Sequence, residues 1–193
     1  MSSPLIIDYY SDILCVWAWV AQRRIDELNK YLGNKIDVKY HYLDVFGDAI
    51  NKIPTQWHDR GGYDGFSAHV FESASVYEDA HINKDIWSKT RPTSSANPHL
   101  VLKAIELSYS SQHSIELALK FRQAFFVDAQ DISNIEVLFS LIEQACLDSV
   151  QVNKAILNGS AMAALMGNYQ QAKTLGLKGS PTYILNNGRQ ILY

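Results

Sequence analysis

Two strand patterns enclose one amphipathic helix at the start of the chain, and this arrangement constrains the fold more than any other feature. Residues 4–10 are apolar and rich in β-formers, which predicts a buried strand. Residues 15–32 carry apolar side chains at helical spacing and are closed by Gly33-Asn34. Residues 36–43 alternate apolar and polar side chains, which predicts a second strand. A right-handed crossover would make the two strands parallel.

Most of the remaining chain is predicted to be helical. Residues 44–94 contain glycines and prolines among aromatic and polar residues, so we expect short helices and loops there without a separate core. Ser133 followed by Glu136 is typical of a capping box at a helix start. Helical patterns cover residues 98–111, 113–127, 133–146, 150–158 and 160–175.

The end of the chain returns to strand patterns. Residues 182–185 form a β-rich run, and the following Asn187-Gly188 is a strong hairpin signal. Residues 189–193 would be the return strand of that hairpin.

The order of these patterns predicts an α/β protein with a thioredoxin-like fold. A large all-helical insertion would separate the β-α-β half from the C-terminal β-hairpin. We expect residues 1–45 and 176–193 to form the thioredoxin-like domain and residues 46–175 to form the helical insertion domain. A chain of 193 residues can bury a core without disulfides or a structural metal.

Charge and hydropathy exclude several classes of function. The net charge is −3, from 17 Lys and Arg against 20 Asp and Glu, so we expect no nucleic-acid partner. No apolar run is long enough to span a membrane, and the N-terminus has no secretory signal pattern. Two cysteines cannot form a disulfide framework, which favours a cytoplasmic location. We expect no metal site, because the spacing of the nearby acidic residues and histidines fits no familiar ligand set: His58, Asp59, Asp64, His69 and His81.

Cys15 lies where the first strand passes into the first helix. Unpaired N–H groups and the helix dipole favour a thiolate at this place, and a thiolate is the nucleophile of disulfide exchange. The alternative is a small buried apolar residue. Ala18 stands where a dithiol motif would have its second cysteine. Cys146 lies within a predicted helix and is interpreted as a packing residue.

A second element of a thiol site is the dipeptide Ser180-Pro181, which follows a glycine and precedes a strand pattern. A cis peptide bond is one interpretation there, and an ordinary trans proline is the other. In thioredoxin-like sheets such a loop faces the nucleophile and pairs with an extended peptide or glutathione. Trp17 flanks the proposed nucleophile. His99 is expected as an exposed first-turn histidine, with a place in a cleft as the alternative.

The segment Asp12-Ile13-Leu14-Cys15-Val16-Trp17-Ala18-Trp19 resembles the DsbA-like thioredoxin superfamily. Its disulfide oxidoreductases, including FrnE-like proteins, carry Asp-x-x-Cys-Pro-Trp-Cys at this place. Its kappa-class glutathione transferases and 2-hydroxychromene-2-carboxylate isomerases carry a run close to Ser-Pro-Tyr-Ser. The resemblance extends through residues 121–126, 131–138 and 172–183 to the hairpin signal, and so spans essentially the whole chain.

The resemblance implies a role for each residue of the motif. Cys15 occupies the nucleophile position of the oxidoreductases and the glutathione-activating serine position of the transferases. Val16 replaces the usual proline, and Ala18 replaces the second cysteine or serine. Ser180 and Pro181 match the loop that would hold glutathione or substrate. Family members usually add a C-terminal helix, so the end at Tyr193 suggests a truncated chain.

Three hypotheses about the function follow. The first is a monothiol, glutathione-linked thiol-disulfide oxidoreductase with Cys15 as nucleophile, no covalently bound cofactor, and glutathione as co-substrate. Its partners would be glutathione and a thiol or disulfide, on a protein or a small molecule, with a homodimer left open. The second is a glutathione-dependent transferase or isomerase of a small aromatic substrate. The third is a non-catalytic thioredoxin-fold binding module.

Overall fold

A mixed four-stranded sheet joins the two ends of the chain. The structure is a computed structural model that describes residues 3–186 and 188–193. The strand order is β2-β1-β3-β4, with β2 parallel to β1 and the other neighbours antiparallel. The strands are β1 (Leu5–Ser11), β2 (Ile36–Tyr42), β3 (Thr182–Leu185) and β4 (Gln190–Leu192). The predicted parallel pair and the terminal hairpin are confirmed, while Asn187 of the predicted turn lies outside the described residues.

Helix α1 (Val16–Leu32) connects the two parallel strands, as its apolar spacing predicts. It begins directly after Cys15 and ends at Gly33, whose φ of 50° favours glycine. One face of α1, including Val20 and Ile25, is buried. Because α1 starts where β1 ends, Cys15 is held between two regular elements.

The chain between β2 and β3 is helical, as expected. A single large apolar cluster holds these helices together, and it includes Trp87, Phe121, Phe125 and Leu102. No described helix has both the length and the apolar character that crossing a bilayer requires. The helices are α2 (Ala49–Gln56), α3 (Gly62–Ser75), α4 (Ala96–Ser108), α5 (Ser111–Phe126), α6 (Ile135–Gln144), α7 (Ser149–Leu157) and α8 (Ser160–Thr174).

Helix α6 differs from its prediction at both ends. Its N-cap is Asn134, whose Oδ1 accepts the N–H of Glu136, and the predicted cap at Ser133 is wrong. The Ser133 hydroxyl has other partners, since it donates to Asp131 Oδ1 at 2.6 Å and accepts the N–H of Thr93 at 3.1 Å. Cys146 lies beyond the end of α6, exposed and with a φ of 59°, so the prediction that it packs within a helix is also wrong.

Candidate active site at the strand-to-helix junction

Cys15 is the N-cap residue of α1. Its carbonyl oxygen accepts the N–H groups of Ala18 and Trp19, both at 3.1 Å, which begins the helix. Its own N–H donates to the carbonyl oxygen of Asp12 at 3.1 Å, which closes a tight turn after β1. The Cys15 thiol is therefore held at the positive end of the α1 dipole, as the sequence pattern predicts.

The loop before β3 lies against this thiol. The peptide bond between Ser180 and Pro181 is cis, so the first of the two interpretations of this dipeptide is the observed one. Cys15 Sγ donates to the Ser180 carbonyl oxygen at 3.1 Å, and Ser180 Oγ accepts the N–H of Asp12 at 2.9 Å. Residues 165 positions apart in the sequence thus meet, as the predicted thioredoxin-like sheet requires.

The reactivity of the Cys15 thiol is governed first by its burial. Only 6% of Cys15 is exposed, and this burial raises the pKa of its thiol. Hydrogen bonding by Ser180 and by the N–H groups of Ala18 and Trp17 lowers that pKa, and the negative charge of Asp12 raises it. Burial outweighs these hydrogen bonds, so the net direction is upward, opposite to the lowering that a helix end by itself favours.

The three residues after Cys15 face different surroundings. Val16 and Ala18 are buried, at 7% and 0% exposure, so the position of the missing second cysteine points into the protein. Trp17 is 45% exposed and packs edge-on against Tyr77 with ring centroids 6.4 Å apart. An aromatic surface therefore adjoins the buried thiol.

Asp12, three residues before Cys15, forms hydrogen bonds with four segments of the chain. Its carboxylate accepts the N–H of Leu14 at 2.9 Å, and the N–H of Phe46 and the hydroxyl of Ser95 at 2.8 Å each. Its own N–H binds the hydroxyl of Ser180. Burial raises the pKa of Asp12 to about 6, and these three donors and Lys52 oppose the rise. The sequence identifies Asp12 only as the first residue of the motif around Cys15. Its hydrogen bonds with Phe46, Ser95 and Ser180 cannot be predicted from that motif.

His99 is fully buried beside Asp12, which contradicts the expected exposed position. Its Nε2 accepts the N–H of Ile13 at 3.0 Å, so Nδ1 carries the proton and donates to the Tyr169 hydroxyl at 2.9 Å. Burial, followed by the charges of two cationic side chains, holds the pKa of His99 well below its usual range. The sequence suggests a helix start near Pro98, whereas α4 begins at Ala96, and His99 lies on its buried face together with Leu102.

Arg122 is a second buried polar residue that sequence reasoning missed as a site residue. Its guanidinium donates to Gln22 Oε1 at 3.2 Å and to Ser11 Oγ at 2.9 Å. Because both acceptors are neutral, the charge of Arg122 acts on the groups around it, and it adds to the burial that lowers the pKa of His99. The cation thus helps to keep His99 neutral.

The Ser180 side chain should control the Cys15 thiol. We expect Ser180→Ala to slow alkylation of Cys15 about threefold at pH 7.5, because the variant loses a hydroxyl that stabilises the thiolate. The measurement is the alkylation rate against pH in Cys146→Ser protein, so that one thiol reports. Ser88→Ala, which removes a hydroxyl bound to carbonyls of its own turn, is the control. A rate equal to that of the control would exclude this role.

The chain is similar to known proteins in sequence and in fold. The family model described as thioredoxin matches residues 9–191. The ClpXP adapter protein SpxH of Halalkalibacterium halodurans is 25% identical over 189 residues, which are 95% of this chain but only 59% of that protein. The chain therefore spans less than two thirds of that relative.

Solved structures show the same fold. The cytosolic disulfide reductase DsbM from Pseudomonas aeruginosa has a TM-score of 0.74 at 21% identity, over 98% of this chain and 89% of DsbM. DsbM with GSH gives a TM-score of 0.71 at 20% identity, over 98% and 90%. A 2-hydroxychromene-2-carboxylate isomerase gives 0.62 at 14% identity, over 97% and 88%. The predicted thioredoxin-like fold with a helical insertion is confirmed, and it is the fold that DsbA-like oxidoreductases and this isomerase share. Because the family model covers nearly the whole chain, the protein belongs to the thioredoxin family.

Proposed function

We propose that this protein is a monothiol thiol-disulfide oxidoreductase that uses glutathione. The observation that carries the proposal is the 3.1 Å contact between Cys15 Sγ and the carbonyl oxygen of Ser180, next to a cis proline. This contact places a single thiol beside a loop backbone that an extended substrate can pair with. Ala18 leaves no second thiol in the first turn of α1, so release must come from an external thiol.

The reaction cycle needs two exchange steps. The Cys15 thiolate attacks the glutathione sulfur of a glutathionylated substrate, forms a mixed disulfide with glutathione, and expels the substrate thiolate, which takes up a proton. A glutathione thiolate then attacks the mixed disulfide, forms oxidised glutathione and restores Cys15. The net change is reduction of the substrate disulfide and oxidation of one added glutathione. DsbM, a cytosolic disulfide reductase with a similar fold that is known with GSH, supports this class of chemistry.

Substrate binding must activate the thiol, because Cys15 is buried and its pKa is raised. A substrate that pairs with the loop at Ser180 competes for the carbonyl oxygen that now accepts the thiol proton. The amide N–H groups of Trp17 and Ala18 and the hydroxyl of Ser180 remain to stabilise the thiolate. A compartment that holds reduced glutathione, such as the cytoplasm, would supply the second step.

A non-catalytic binding module is the second candidate. The raised pKa of Cys15 favours it, because a protonated thiol is a poor nucleophile. The likeness to SpxH, which is a ClpXP adapter, points the same way. In this case the thioredoxin-like surface would bind a partner protein without exchanging disulfides.

A trapping experiment separates the two candidates. Cys146→Ser protein is incubated with a glutathionylated peptide, and the Cys15 peptide is searched by mass spectrometry for a glutathione adduct. We expect the adduct, and formation of oxidised glutathione when reduced glutathione is added. The control is Cys15→Ser in the same background, which should give neither. If both proteins leave the peptide unreacted, the oxidoreductase proposal is wrong and the binding module remains.

A further inference from the structure

Strand β2 is an outer strand of the sheet, and one of its edges is open. Successive residues of a strand direct their backbone N–H and C=O groups to opposite sides. The N–H of Leu43 donates to the Ser11 carbonyl oxygen, which fixes the side that faces β1. The N–H of Tyr42 donates away from the sheet to Asn168 Oδ1 at 3.2 Å. Val38 and Tyr40 lie an even number of residues before Tyr42. Their backbone groups therefore point to the same side as those of Tyr42, which is the open edge.

Two backbone donors on this edge have no partner in the part of the chain that the structure describes. At its ends the edge is closed, because the N–H of Ile36 bonds to the Gly33 carbonyl oxygen and that of Tyr42 to Asn168. Between these ends, the N–H groups of Val38 and Tyr40 meet no acceptor among residues 3–186 and 188–193. Such unpaired strand groups are a template for another extended chain.

The open edge lies in a groove of about 840 Å³, which we call the β2 groove. Residues 36–41 of β2 line it together with one face of α1 and one face of α5. The wall from α1 includes Asp26, and the wall from α5 includes Ile115 and Glu116. None of the residues that surround the Cys15 thiol lines the β2 groove, so this surface is separate from the candidate active site.

The β2 groove is acidic. Asp26, Asp37 and Glu116 line it, against the single ammonium group of Lys39. Among the described residues, the carboxylates of Asp26 and Glu116 accept hydrogen bonds only from neutral glutamine side chains, at 2.9 Å each, so their charges are not cancelled. A fourth carboxylate in the groove, that of Glu106, is paired with Lys103 Nζ at 2.7 Å. A positively charged ligand fits this surface.

We propose that the β2 groove binds an extended segment rich in lysine or arginine, from a partner protein, as an added strand of the sheet. The carbonyl oxygens of the segment accept the N–H groups of Val38 and Tyr40, and its N–H groups donate to the matching carbonyl oxygens. Alternate side chains of the segment bring cations to Asp26 and Glu116. A second copy of this protein fits less well, because two acidic grooves would repel each other.

A proline on the open edge tests the backbone part of the proposal. The probe is a labelled peptide, acetyl-Lys-Val-Lys-Val-Lys-Val-amide, and binding is followed by fluorescence anisotropy. We expect Val38→Pro to weaken binding at least about tenfold, because proline has no N–H, while the bonds to β1 are made by the neighbouring residues and persist. Val38→Thr keeps the N–H and is the matched control. Circular dichroism and thermal unfolding check the fold of both variants.

Three further measurements test the same site without that variant. Charge removal in Asp26→Asn/Glu116→Gln should weaken the lysine probe about fivefold, and a peptide with glutamate in place of lysine should bind at least about tenfold more weakly. In the wild-type protein, bound peptide should slow amide hydrogen exchange at Val38 and Tyr40 specifically. Equal binding by the two peptides, or by Val38→Pro and Val38→Thr, would overturn the proposal. So would a dimer of the wild-type protein in sedimentation that Val38→Pro converts to a monomer, because a second copy would then occupy the edge.

Discussion

A cysteine in place of Ala18 is expected to release glutathione from a Cys15 mixed disulfide at least about 100-fold faster than millimolar external glutathione does. The new thiol would attack the mixed disulfide within the same molecule, and intramolecular thiols act at high effective concentration. The variant would then hold a disulfide between Cys15 and the introduced cysteine, and it would need a different reductant. The measurement is the loss of the glutathione adduct against time, by intact mass, in the Cys146→Ser background.

The position of Ala18 supports this expectation. Its N–H donates to the Cys15 carbonyl oxygen at 3.1 Å, so the two residues are one turn apart at the start of α1. Ala18 is fully buried, so an added sulfur would stay next to Cys15 instead of reaching solvent. The larger side chain should cost about 1–3 kcal/mol of stability, which urea unfolding of the variant and the parent protein can check.

Ala21→Cys is the matched control for this experiment. Ala21 is also buried on α1 but lies a further turn along the helix, out of reach of Cys15. Its mixed disulfide should persist as long as that of the parent protein. If Ala18→Cys releases glutathione no faster than Ala21→Cys does, then the first turn of α1 does not present residue 18 to the Cys15 sulfur.

The parts of the site that the sequence predicts depend on local patterns. The turn after β1, the start of α1 after Cys15, and the strand after Pro181 each follow from periodicity and from turn residues within a few positions. The meeting of Cys15 with Ser180 then follows, because a sheet of this strand order brings the end of β1 next to the start of β3.

The parts that were missed depend on long-range contacts. His99 bonds to Ile13 across 86 positions, and Arg122 bonds to Ser11 across 111, so neither pairing leaves a local pattern. The direction of the pKa shift of Cys15 depends on long-range packing in the same way. The helix end that favours a thiolate is visible in the sequence, whereas the burial that opposes it comes from the packing of the whole fold.

Asp12 is expected to make the folded protein less stable as the pH rises from about 4 to 6. Its pKa rises from 3.8 to about 6 on folding, because burial penalises the charged carboxylate. In this interval the folded state holds a proton that the unfolded chain has released. The stability given by neutral Asp12 is therefore complete below pH 3.8 and is lost as the pH passes 6, which amounts to about 3 kcal/mol.

Asp12→Asn should remove this dependence. Urea unfolding at several values from about pH 4.5 to 7.5 gives the free energy of unfolding of both proteins, and the wild-type value relative to the variant should fall as the pH rises. His99 acts in the opposite direction, because its lowered pKa makes stability fall below about pH 6.5. Since His99 is present in both proteins, its effect should largely cancel in the difference.

Ser95→Ala provides the internal check on Asp12. This variant keeps the carboxyl group but loses one of the donors that stabilise its charge, so the pKa of Asp12 should rise further. The loss of stability with pH would then extend above pH 6, whereas Asp12→Asn would abolish it. If the free energy of unfolding changes with pH in the same way for the wild type, Asp12→Asn and Ser95→Ala, then Asp12 is ionised throughout this range. In that case its three donors would lower its pKa more than burial raises it.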